Sequence, residues 1–172
     1  LERLGLSRRI DTAERAVGGG RDYPRDRTGW IGAVSASSGL STDHVSMLFE
    51  RYGTDADDVA HFIAAASDQA LPHAGYSARE VLYLIRSEAV EHLDDLLLRR
   101  TTLAIAGDLS LVMAEAVLAL LAAEKGWPVL RIAEERTRFL TLMRERHGVA
   151  EETLSARNEQ RSDVCETTAR SG

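Results

Sequence analysis

The sequence predicts an all-α protein: a compact bundle of five to six amphipathic helices with a loop-rich N-terminal lead-in and a polar tail. Three observations carry that prediction. Apolar residues recur at i, i+3, i+4 and i+7 in several segments after residue 40. Those segments open on Ser, Thr, Asp or Pro and close on Gly, the start and stop chemistry of helices. No convincing run of alternating apolar and polar residues, as a half-buried strand requires, follows residue 40.

In chain order, Leu1 and Leu4 read as the last turn of a helix ended by Gly5, with Arg8 and Arg9 after it. Val17 to Gly39 is rich in Gly, Ser, Arg and Asp, contains Pro24, and reads as loop, pinned to a surface by Trp30 and Ile31. The run Gly18-Gly19-Gly20 invites a test as a phosphate cradle. A dinucleotide fingerprint needs Gly-x-Gly-x-x-Gly between a strand and a helix. Here Arg21, Asp22, Tyr23 and Pro24 follow and no helix signal starts, so a flexible connection is expected.

Ser41 is placed as the cap of a helix with Val45, Leu48, Phe49 and Tyr52 on one face, ended by Gly53. Thr54 is expected to cap the next, with Asp57 and Asp58 in its first turn and Val59, Phe62, Ile63 and Ala66 inward. Leu71 to Gly75 is a break. Ser77 with Glu80 then forms a capping box ahead of Val81, Leu82, Leu84 and Ile85. After a break at Gly107, Asp108 is expected to cap a helix to Lys125 whose face is Leu109, Val112, Met113, Ala116, Val117, Leu120 and Leu121. Gly126-Trp127 ends it, Pro128 opens a last helix with Ile132, Ala133, Phe139, Leu140 and Met143 inside, and Gly148 closes that. Residues 149–172 are polar and read as a flexible or loosely helical tail.

Composition narrows the function classes. Hydrophobic content of 44% supports a real core, and 5% aromatics makes it a core of Leu, Ala, Val and Ile. A net charge of −6 argues against nucleic-acid binding, including a helix-turn-helix reading. The one cysteine, Cys165, excludes an intrachain disulfide and a Cys-rich zinc site and fits a reducing cytoplasm. The first residue is Leu and no signal-like segment follows, so the chain reads as a piece of something longer. The most apolar segment, Leu109 to Ala123, falls short of the roughly 20 residues of a membrane span and is interrupted by Glu115.

The chemical candidates are few. Asp58 and His61 have one half of a helical di-iron spacing, and Glu88 and His92 are four apart, but no Glu-x-x-His pair is repeated on two helices and no metal site is expected. No Gly-x-Ser-x-Gly turn holds a nucleophile. Glu88, Glu91, Asp94 and Asp95 could act as a general acid and base, yet they sit beside Arg99 and Arg100 and would pair with them. Asp95 lies four residues before Arg99, as a helical pair requires, and Glu88 and Glu91 are the expected partners across a bend. Leucines beside two arginines suggest guanidinium groups held near a core. Glu88, Glu91, Asp95, Arg99, Arg100 and Thr101 are thus expected as a structural ion-pair knot. No catalytic, cofactor-binding or metal-binding residue is assigned in this chain.

Two stretches carry a resemblance. Met47-Leu48-Phe49-Glu50-Arg51-Tyr52-Gly53 fits Leu-x-x-Arg-Tyr-Gly. Glu80 with Tyr83, then Glu88, then Asp95-Leu96-Leu97-Leu98-Arg99-Arg100-Thr101, fits Glu…Tyr…Glu…Asp-x-Leu-x-Arg-Arg-Thr. Together, from about Gly18 to Gly148, the chain resembles the C-terminal helical domain of the FAD-dependent glycerol-3-phosphate dehydrogenases, also called α-glycerophosphate oxidases. The family's flavin fingerprint and its Gly-Lys-x-Thr-Thr-Tyr-Arg motif are absent. The resemblance therefore implies an accessory domain of an enzyme that oxidises sn-glycerol 3-phosphate to dihydroxyacetone phosphate, with a quinone or oxygen taking the electrons. FAD would be bound by the parent and not by this chain, which alone would be inactive. It implies residues 1–40 as a mostly loop lead-in from the flavin domain, 41–148 as the helical accessory domain and 149–172 as the tail. The implied partner is the upstream FAD-binding domain of the same chain, with a homo-oligomer or peripheral contact with the inner face of the cell membrane left open, in a cytoplasmic protein. The rival reading is a stand-alone helical protein-interaction module. The absence of Met at position 1 and the loop-rich start count against it.

Overall fold

The computed structural model describes residues 18–72 and 75–158. The expected helix end at Leu1–Gly5, the pair Arg8 and Arg9, His73 and Cys165 lie outside the described residues. The architecture is all-α. Six helices, α1 (Arg27–Ser38), α2 (Thr42–Tyr52), α3 (Ala56–Ala64), α4 (Ala78–Ser87), α5 (Leu111–Lys125) and α6 (Val129–His147), are joined by a π-helical turn, Asp95–Arg100, between α4 and α5. Residues 151–158 are also helical and are called α7. The chain divides after Ala64 into two compact units.

In the first unit α1, α2 and α3 pack on one another. Helix α2 starts and stops where its sequence dictates. Ser41 accepts the N–H of His44, and Val45, Leu48 and Phe49 are buried. Helix α1 corrects the expectation of loop. Asp26 Oδ1 accepts the N–H of Gly29 at 3.0 Å, Gly39 closes the helix by donating its N–H to Ser35 at 2.9 Å, and Val34 is buried. Trp30 packs on Phe49 with ring centroids 4.9 Å apart, and the Arg27 guanidinium lies over the same ring at 5.1 Å while pairing with Glu50. Tertiary contact thus overrides the poor helix propensity of Gly29, Gly32 and three serines.

Thr54 is not the cap expected. Gly53–Asp55 forms a 3₁₀ turn running into α3, and the Thr54 hydroxyl donates to the carbonyl of Arg21 at 2.8 Å. Its N–H donates to Gly19 at 2.9 Å. Backbone meets backbone here. Gly19 (φ +73°) and Gly53 (φ +60°) approach so closely that a Cβ on Gly53 would lie 2.0 Å from the Gly19 carbonyl oxygen. The glycine run is a docked segment, not a free connection.

In the second unit α4 and α6 pack against α5, and the π-helical turn packs on α4. Ser77 caps α4 by accepting the N–H of Glu80 at 3.1 Å. The break before it is pinned by an isolated antiparallel bridge, Ala70 with Ser77. Helix α5 is capped by Ser110, which accepts the N–H of Met113, not by Asp108. Its buried face is Met113, Ala114, Val117, Leu118, Leu121 and Ala122, while Val112 is exposed. The sequence Leu111–Lys125 is apolar nearly all round, so its periodicity selects no face and its neighbours do. Each such leucine contributes about 1.5–3 kcal/mol when fully buried. Gly126 and Gly148 close α5 and α6 in left-handed conformations. Leu154 of α7 is fully buried, so part of the expected tail is structural core; residues 159–172 lie outside the described residues.

Candidate functional site

The charged centre of the second unit is Glu135, in the second turn of α6, with no exposed surface. Its Oε1 accepts the backbone N–H of Leu93 at 2.9 Å and an Arg138 Nη2 hydrogen at 2.8 Å. Its Oε2 accepts Arg138 Nε at 3.1 Å and lies 3.0 Å from His92 Nδ1 and 3.4 Å from Arg131. An ionised carboxylate only accepts, so Nδ1 carries the proton in the histidine contact. Arg138 also pairs with buried Asp94, and Asp94 Oδ2 lies 3.4 Å from Arg99. The node ties the segment entering the π-helical turn to α6.

Burial works against the Glu135 charge, but the hydrogen bonds from Arg138, the Leu93 N–H and His92 outweigh it and hold the carboxyl below the usual glutamate range. Its hydrogen bond raises the Arg138 guanidinium in turn; burial opposes that and Asp94 adds to it. Asp95 is likewise lowered: burial opposes its charge, while the N–H groups of Glu91 (3.1 Å) and His92 (3.0 Å) and the charge of Arg99 favour it.

Of the residues the sequence singles out, Asp95 and Arg99 pair at 2.5 Å and Glu88 and Arg100 at 3.1 Å. Glu91 does not join an arginine; it lies 3.7 Å from Lys125. Thr101 is buried and donates to the carbonyls of Leu96 (3.0 Å) and Leu97 (3.4 Å), closing the π-helical turn. The guanidinium groups are not held in the core. The turn points Leu96 and Leu97 inward and leaves the Arg99 side chain 61% exposed and that of Arg100 35% exposed. Sequence reasoning missed Glu135 and Arg138, which make the buried half of the network. The local signal was Arg131, Glu135 and Arg138 at i, i+4 and i+7 on one helix face.

Other candidates resolve locally. His61 Nδ1 sits 2.9 Å from the carbonyl oxygen of Asp57, and His92 faces Glu135 rather than Glu88. No group of three or more His, Cys, Asp or Glu among the described residues could hold a metal ion. The glycine run does not fit a dinucleotide cradle, because the close approach at Gly19 is to the carbonyl of Tyr52. On a different face of α6 a groove of about 690 Å³ opens between α5 and α6. Leu118, Ala122, Trp127 and Ile132 wall it, and Glu115 and Arg136 stand at its rim, 3.0 Å apart. No helix among the described residues is long and apolar enough to cross a membrane.

Fold and site together define an all-helical domain whose second half is tied together by an internal ionic node. A family model described as the C-terminal domain of alpha-glycerophosphate oxidase matches residues 10–131, and the chain belongs to that family. Among curated proteins, none matches the chain.

Proposed function

We propose that the chain is the C-terminal accessory domain of an FAD-dependent glycerol-3-phosphate dehydrogenase or oxidase. On this reading the parent oxidises sn-glycerol 3-phosphate to dihydroxyacetone phosphate, the flavin belongs to an upstream domain, and a quinone or oxygen takes the electrons. This domain contributes structure and an interdomain or partner-contacting surface. The observation that carries the reading is the family match over residues 10–131. The geometry agrees with it in one respect. The fully buried Glu135 carboxylate is held by fixed donors from its own segments rather than turned toward a cavity.

The test compares flavin absorbance and dye-linked glycerol-3-phosphate oxidation by the purified 172-residue chain and by its full-length parent. A colourless, inactive, cooperatively melting chain beside a yellow, active parent is the expected outcome. A yellow or active chain would overturn the accessory role. A colourless, inactive parent would overturn the flavoenzyme reading and leave a helical interaction module in its place.

A further inference from the structure

We infer that residues 18–23 form a strap that seats the polypeptide arriving from the upstream flavin domain on the corner between α2 and α3, and that releases from this corner without unfolding those helices. The inference rests on the function proposed above and adds the place at which the first unit holds the connection between the domains.

The composition of this stretch is that of a flexible linker. Gly18, Gly19 and Gly20 are followed by Arg21 and Asp22, and a connection so rich in glycine ordinarily behaves as a random coil. Its geometry is different. The Gly19 carbonyl accepts the N–H of Thr54 at 2.9 Å, and the Arg21 carbonyl accepts the Thr54 hydroxyl at 2.8 Å. One threonine thus grips the segment at two carbonyls, through its main chain and its side chain. Between Gly19 and the corner there is no room for a side chain, since a Cβ would lie 2.3 Å from the Tyr52 carbonyl oxygen. Tyr23 fastens the far end, its ring tilted against Phe49 with centroids 5.4 Å apart. Asp22, between the two fastenings, has a φ of +52°, uncommon for a residue with a side chain. Such a conformation persists where the surroundings over-determine it. The Thr54 grip before Asp22 and the Tyr23–Phe49 contact after it do so.

The same contacts set how the strap opens. None of residues 18–23 is buried, and Tyr23 is 58% exposed. The core of the first unit is made by Val45, Leu48, Val59 and Ile63 of α2 and α3. Release uncovers the side of Phe49 that Tyr23 touches and takes no side chain out of that core. Segments held by exposed hydrogen bonds over little buried apolar surface open ahead of the domain that carries them.

Trypsin reads the two states, because Arg21 lies within the strap and its peptide bond enters a protease only after the residues around it leave the surface. The 172-residue chain and its full-length parent are digested as wild type, Thr54→Val, Thr54→Ser and Gly19→Ala. Position 54 is 33 residues from Arg21, so the Thr54 variants leave the cleaved sequence unaltered. Cleavage after Arg21 is expected to accelerate by about two- to tenfold in Thr54→Val, which loses one hydrogen bond. It should accelerate by about tenfold or more in Gly19→Ala, where the backbone contact itself is blocked. Thr54→Ser keeps the hydroxyl and should be cut like wild type. Hydrogen exchange of Gly19→Ala should show the Thr54 amide losing protection while the amides of α2 and α3 stay protected. Wild-type chain cut after Arg21 as fast as Gly19→Ala would reveal an open linker and overturn the inference. Loss of protection in α2 and α3 together with Thr54 would overturn it too, because the segment would then belong to the core. A strap that protects Arg21 in the 172-residue chain but not in a yellow parent overturns the seating of the interdomain connection alone. A colourless parent overturns the proposed function, and digestion and exchange of the 172-residue chain still decide the strap.

Discussion

Glu135 and Arg100 separate what a charge contributes inside the second unit from what it contributes at its surface. Replacing Glu135 by Ala leaves the Leu93 N–H without its acceptor, takes from Arg138 one of its two carboxylate partners, and does so where the glutamate itself is fully buried. Such a change costs about 3–5 kcal/mol. Arg100→Ala removes an exposed pair with Glu88 and is expected to cost about 0–1 kcal/mol. Urea denaturation of both variants checks the ordering, and equal costs would mean the node is centred elsewhere. Acid gives a second readout. Glu135 has a folded value below its ordinary 4.5, so the unfolded chain binds the proton first. The stability it supplies is complete above about pH 4.5 and is lost as pH falls through the folded value. Glu135→Ala should therefore lose stability less steeply than wild type below that pH. The sequence exposed the outer half of this network because Asp95–Arg99 is a four-residue spacing and Glu88–Arg100 spans one bend. It concealed the inner half because the partners of Glu135, Leu93 and His92, are 42 and 43 residues away along the chain. No local pattern reports that distance, and burial, which decides the energy, is a property of the packed state.

At the scale of elements, legibility follows how much of the specification is local. Helix α2 was readable from end to end because its cap, its apolar face and its closing glycine all lie within it. Helix α1 was not, because the contacts that hold it, Trp30 and Arg27 on Phe49, belong to α2. For α5 the existence of the helix was plain and its orientation was not, since a sequence apolar on every side leaves the buried face to the neighbours. The glycines show the same division. Gly19 and Gly53 read as loop and stop signals, and their further role is a backbone contact between two segments. Ala at either position forces a positive φ and sets a Cβ 2.3 Å from the Tyr52 oxygen or 2.0 Å from the Gly19 oxygen. Each should destabilise by about 1–3 kcal/mol or more, the cost of a strained backbone position. Gly32 supplies the opposite case. It lies inside α1 with nothing within 4 Å of an added Cβ, so Gly32→Ala should stabilise by about 0.4–1 kcal/mol. Thermal melts of the three variants decide it, and a Gly53→Ala protein as stable as wild type would remove the backbone contact as a reason for that glycine.

Over the whole molecule, the family match and the folding unit end at different places. The match stops at residue 131, in the first turn of α6. Glu135, Arg138, Phe139, Met143 and Leu154 all lie beyond it, and four of them are buried. The last described turn also ties back: Arg157 donates to the carbonyl of Leu109 at 3.0 Å, and Asn158 accepts the N–H of Val112 at 3.2 Å. That N–H is one of the donors a helix N-terminus leaves open, and the Leu109 carbonyl lies just ahead of the helix, so α7 completes the start of α5. A chain ending at 131 would keep α5 but lose the buried side chains of Phe139, Met143 and Leu154, and would leave Asp94 and His92 without Arg138 and Glu135. We therefore expect residues 1–131 to lose the cooperative unfolding of the second unit and residues 1–158 to retain it. The first unit completes its own core with Val45, Leu48, Val59 and Ile63 before residue 65, so amides of α2 and α3 should keep their exchange protection in both lengths. Hydrogen exchange resolved by residue reads the two units separately. Protection of α4 and α5 in the 131-residue chain equal to that in the 158-residue chain would show that the family boundary is also the folding boundary, and that α6 and α7 are additions to a domain already complete.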